Sequence, residues 1–114
     1  YQSISQTLIL NLSLTFGSNE ITIPPLHPYR DEPTLVAALK SQNTQALEYL
    51  YDHYSAALYG AISRIVQTEE MASEVLQDVF LKIWERIGSY DPAKGRLFTW
   101  MLNVARHQAI DKTR

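Results

Sequence analysis

The sequence contains no cysteine. Disulfides, thiolate metal sites and thiol nucleophiles are excluded, and a reducing, cytoplasmic setting is compatible with the chain. Glycine is scarce, with four residues among 114, and none belongs to a phosphate-cradling loop. Gly88 and Gly95 flank a turn without matching a P-loop. No apolar run approaches the ~20 residues needed to span a membrane. Residues 1–16 also lack the positive start of a signal peptide, so no membrane partner is expected. The histidines His27, His53 and His107 lie on separate segments with no second ligand at metal spacing. No nucleophile stands beside a positioned base. The expectation is a non-enzymatic binding surface without metal or cofactor.

What is present describes a folded unit. Hydrophobic residues make up 46% and charged residues 19%, a globular composition, and the length suits one domain with one core. Residues 1–32 differ in kind from the rest. Leu8, Leu10, Leu12, Leu14 and Phe16 alternate with Asn11, Ser13 and Thr15, the period of a half-buried strand. "GSNE" offers a turn into "ITI", and "PPLHP" then ends regular structure. This arm is expected to be a β-hairpin or a disordered segment.

From Pro33 the pattern is helical. A short helix is expected over Pro33–Lys40, starting with a proline where the first turn tolerates it. A long helix follows over Thr44–Val66, with Thr44 as N-cap. Thr68 should cap a third helix running to about Ile87, with Glu69 and Glu70 well placed in its first turn. "GSYDPAKG" breaks the chain, and a fourth helix runs from Leu97 to the end. The expected fold is all-α, a small bundle of three long helices and a short one, with residues 1–32 as an arm and 33–114 as the domain.

The net charge of −2 conceals two opposite runs. Residues 69–78 hold Glu69, Glu70, Glu74 and Asp78 with no base. Residues 94–114 hold Lys94, Arg96, Arg106, Lys112 and Arg114 against Asp111 alone. One surface therefore suits a cationic partner and the other an anionic one. On the third helix Val75, Leu76, Val79, Phe80 and Ile83 gather on one side, and Glu74, Gln77, Asp78 and Glu85 on the other. Leu81 falls among the polar set, so a docking surface with an exposed aliphatic residue is expected there. Opposite the apolar stripe of the fourth helix lie Trp100, Asn103, His107 and Arg114, flanked by Arg106 and Lys112. Rings, amides and cations together suit single-stranded nucleic acid, because bases stack while phosphates seek positive charge. Trp100 is equally at home in the core.

The stretch "ASEVLQDVFLKIWERIGSYDPAKGRLFTWMLNVARHQAIDKTR" resembles region 2 of sigma-70 family transcription initiation factors, most closely the extracytoplasmic function (ECF) group. Ala72, Gln77, Phe80, Trp84, Asp91, Pro92, Gly95, Trp100, Leu102, Ala105, Arg106, Ile110, Asp111 and Arg114 match the family pattern. "ALEYLYDHYSAALYGAISRIV" is similar to the preceding family helix, so the resemblance covers residues 33–114.

The resemblance implies that Glu74, Gln77 and Asp78 bind the β′ clamp helices of RNA polymerase core, and Leu81 is added as the apolar centre of that interface. It further implies recognition and melting of the promoter −10 element. The loop over residues 89–96 would surround a flipped base, and Lys94, Arg96, Asn103, Arg106, His107, Lys112 and Arg114 would line the strand's path. An anti-sigma factor that masks the domain is a further implied partner. Ser73 stands where the family has Glu, Glu74 where it has Asp, and His107 where it has Asn. Val104 and Ala105 replace the aromatic melting pair of housekeeping members, as in the ECF group. The family continues into a second domain that reads the −35 element, so the chain reads as a fragment holding region 2. The competing reading is a helical protein–protein module that does not touch DNA.

Overall fold

Short polar side chains start the first three helices. In the computed structural model, which describes residues 28–114, Asp31 caps the helix Glu32–Lys40 (α1) by accepting from the Thr34 amide. Asn43 caps Thr44–Ser63 (α2) through the Gln45 amide, and Thr68 caps Glu69–Arg86 (α3) through the Met71 amide. Two 3-10 turns, Ile87–Ser89 and Pro92–Lys94, lead into Leu97–Thr113 (α4), and another, Pro28–Arg30, precedes α1. The described residues are all-α, as expected. The hairpin expected near the N-terminus lies outside them.

Two boundaries differ from the sequence reading. The cap of α2 is Asn43 rather than Thr44, because Asn43 carries the extended backbone and its Oδ1 takes the free amide. The helix also ends at Ser63 instead of Val66. The amides of Ile65 and Val66 both turn back to the Ile62 carbonyl, which closes the last turn while leaving Val66 buried.

The core collects one stripe from each long helix. Leu47, Leu50, Leu58 and Ile62 of α2 meet Val75, Val79, Phe80 and Ile83 of α3 and Leu97, Met101, Ala105 and Ala109 of α4. Each large aliphatic group withdrawn from water contributes about 1.5–3 kcal/mol. Ala72, Ala105 and Ala109 are fully enclosed, which lets α4 lie close along α3 and α2. The Tyr51 ring leans on Phe80 at 4.9 Å, and Tyr54 stacks on Phe98 at 5.8 Å. No polar or charged side chain is buried among the described residues, so the charged groups remain on the surface.

Short α1 packs on α2 and on the turn that follows α3. It ends at Gln42, whose φ of 61° is left-handed, a conformation that usually disfavours a side chain. The Gln42 amide group donates to the Leu39 and Trp84 carbonyls, each at 3.3 Å, so this strained residue also ties α1 to the end of α3.

Candidate nucleic-acid interface

The chain between α3 and α4 cannot be helical throughout, because Pro92 and Gly95 interrupt it. Asp91 starts the second 3-10 turn, accepting from the Ala93 amide at 3.0 Å. Gly95 has φ 156° and ψ 170°, a region open essentially to glycine alone. Its carbonyl accepts from the Tyr90 hydroxyl at 2.7 Å, which closes the loop on itself. Tyr90 is only 3% exposed. Burial pushes its phenol above the ordinary tyrosine value, Glu32 and Asp91 add to the rise, and Arg96 opposes it.

This loop and the first turns of α4 line a half-open cavity of about 270 Å³. Its walls include Tyr90, Lys94, Arg96, Thr99, Trp100 and Asn103. Trp100 occupies a position compatible with both readings of its sequence context. It is half-buried against the core and stands 5.5 Å from the Tyr90 ring, yet it also forms a wall of the cavity. The space lies just below the roughly 300–1,000 Å³ of small-molecule sites, a size for one ring system. Aromatic faces, an amide and two cations are the groups that hold an unstacked base and its phosphate.

From the cavity an exposed track continues along α4. At about 100° per residue, Asn103, His107, Ile110 and Arg114 follow Trp100 down one side, with Arg106 at the flank. All of these except Trp100 are exposed, and Ile110 is the one large hydrophobic residue classed as exposed among the described residues. Lys94, Arg96, Arg106 and Arg114 form no ion pair among the described residues, so their charge is available to an anion.

Lys112 is not on this track. It lies about 160° around the helix from it and meets Glu74 of α3 at 3.0 Å. That hydrogen bond and the Glu74 charge raise the Lys112 pKa, partial desolvation opposes the rise and Asp78 adds to it. Among the residues expected to line the strand's path, Lys112 thus stands apart, its ammonium facing the acidic helix.

On α3, Glu74, Gln77 and Asp78 are all exposed along one face. Leu81 departs from expectation. It shares their side of the helix but is only 3% exposed, and it is not a member of the central core cluster. It has no free area to offer a partner, and the expectation of an exposed aliphatic centre is corrected.

The model of the sigma-70 region 2 family matches residues 50–114. The chain belongs to that family. Among curated relatives, this region 2 is 31% identical over 84 residues to the ECF RNA polymerase sigma factor SigK of Mycobacterium sp. (strain KMS), covering 74% of this chain and 44% of the relative. It is 31% identical over 80 residues to SigK of Mycolicibacterium vanbaalenii, covering 70% and 41%. With SigK of Mycobacterium bovis (strain BCG / Pasteur 1173P2) the identity is 27% over 84 residues, covering 74% and 45%. These likenesses set this region 2 in the ECF group. The chain spans less than half the length of these relatives. No solved structure matches.

Sequence reasoning missed several parts of this region 2 surface. Thr99 lines the cavity beside the loop over residues 89–96, and only the loop's closure brings it there. Ile110 had a usable signal, since it continues the spacing of Asn103 and His107. Among the described residues no group of three or more metal-ligating side chains assembles, and no helix is long and apolar enough to cross a membrane.

Proposed function

We propose that this chain is the part of an ECF sigma factor that engages RNA polymerase and the promoter −10 element. In this reading the face of α3 bearing Glu74, Gln77 and Asp78 docks on the β′ clamp helices. The cavity ahead of α4 receives one base of the melted non-template strand. Asn103, Arg106, His107 and Arg114 carry the strand onward, and Lys94 and Arg96 hold phosphates at the cavity mouth. Phosphate contacts would supply most of the affinity and the cavity most of the sequence choice.

The observation that carries the reading is the cavity itself, walled by rings, an amide, two cations and the single carboxylate of Asp91, and opening onto a track of cations that form no ion pair among the described residues. A protein–protein module with no nucleic-acid role has no use for this arrangement.

Two binding experiments test the proposal. Labelled −10 single strand should bind more tightly than the same sequence as duplex, and its affinity should fall steeply with salt. Equal, salt-insensitive binding to both forms would overturn it. A β′ coiled-coil fragment should bind the chain, and Asp78→Arg should abolish that binding. Unchanged binding by Asp78→Arg and Gln77→Ala would remove the polymerase assignment.

A further inference from the structure

The cavity loop has little regular backbone of its own, yet its shape must persist for a base to be chosen. Within the loop, closure comes from the Tyr90 hydroxyl on the Gly95 carbonyl and from single-turn bonds such as Lys94 N–H to the Asp91 carbonyl. These fix its curvature, and the Tyr90 ring lies against Trp100 of α4.

Polar ties at both ends of the loop come from α1. The Lys40 ammonium donates to the Tyr90 carbonyl at 2.7 Å, a partly buried bond across 50 residues of sequence. At the other end of the loop, the Leu97 amide donates to the Glu32 carboxylate at 3.4 Å. Arg96 occupies the N-cap of α4 and makes no side-chain cap, since a guanidinium has no acceptor to give. Glu32 therefore supplies from a distance the carboxylate that the start of α4 lacks, where the helix dipole favours negative charge. The Gln42 amide on the Trp84 carbonyl anchors the same short helix to the end of α3. A nine-residue helix is about 13 Å long, so α1 spans the loop and holds each end of it. Neither Lys40 nor Glu32 lines the cavity.

We infer that Lys40 and Glu32 are positioning residues for strand recognition, and that α1, which precedes the stretch matched by the family model, is the brace of the base-binding cavity. This rests on the proposed reading of the cavity. The site so braced is specific to a base, whereas the cationic track works without the brace.

The test measures binding of the full chain to −10 single strands in which each nucleotide in turn is replaced by an abasic one. Wild type should show one position where removing the base weakens binding. Lys40→Met should reduce affinity for the intact strand about five- to tenfold, the scale of one net hydrogen bond, and bring it close to the abasic value. Affinity for the abasic strand, the salt slope and β′ fragment binding should not change, and Lys40→Arg should restore discrimination. Glu32→Gln should act in the same direction. A folded Lys40→Met protein that keeps the full base-to-abasic ratio overturns the inference.

Hydrogen exchange without DNA separates this inference from the cavity reading. In Lys40→Met the amides of residues 90–97 should exchange faster while those of α2 do not. If wild type is blind to every abasic substitution, the cavity reading fails; faster exchange at 90–97 would still uphold the brace, and unchanged exchange would sink it.

Discussion

Tyr90 makes the loop ahead of α4 sensitive to alkali. Its hydroxyl donates to Gly95, which requires the neutral phenol, and burial raises its pKa from the ordinary value. Tyr54 is shifted the same way, first by burial, then by Tyr49 and Glu32, with Arg96 opposing. For a group whose pKa is raised on folding, the stabilising contribution is whole below the unfolded value near 10 and is lost as pH climbs through the folded value. Stability should therefore decline on the alkaline side, and not near neutrality, through these two groups. Tyr90→Phe should cost about 1 kcal/mol at pH 7 and reduce the alkaline decline without abolishing it, because Tyr54 remains. Urea unfolding from pH 7 to 11 measures both effects. A variant that loses stability with pH as steeply as wild type would show that Tyr90 is not the group responsible.

The helices were legible because their signals are local. The Thr68 cap, the acidic first turn of α3 and the apolar spacing of α2 and α4 each lie within a few residues, and the elements formed where those signals stand. Thr68→Ala should destabilise the domain by about 1 kcal/mol, read as a lower denaturant midpoint at unchanged slope. The errors arose where two signals compete. Asn43 and Thr44 both cap helices, and only the backbone conformation separates them. The apolar period of α2 runs past Ser63 because Val66 packs just as well from a turn. Leu81 shows the limit of a helical wheel, which records direction but not what lies across from it. The clasp of α1 on the loop had no local signal at all, since Lys40 and Tyr90, or Glu32 and Leu97, are brought together only by the tertiary fold.

Across the whole molecule the acidic and basic faces are not independent. Glu74 and Lys112 touch at 3.0 Å with roughly half of each side chain exposed, so the acidic helix α3 and the basic helix α4 share an ion pair. Lys112 is already neutralised and turned away from the track, whereas Arg106 is open. Each cation that meets a phosphate of a single strand contributes about 0.7 to the slope of log affinity against log salt. Arg106→Ala should therefore lower that slope by about 0.7, and Lys112→Ala should leave it nearly unchanged. Titrations of the −10 strand at several salt concentrations decide the matter. Equal losses would return Lys112 to the strand's path.

Family membership was readable from the motif between Ala72 and Arg114, and the model match over residues 50–114 agrees with it. That stretch carries the proposed reading surface but not α1, the helix proposed to steady it. A chimera that moves residues 50–114 into another sigma factor would transplant the letters without the frame that keeps them in focus, and its promoter preference should come out blurred. Including residues 31–43 in the graft should sharpen it.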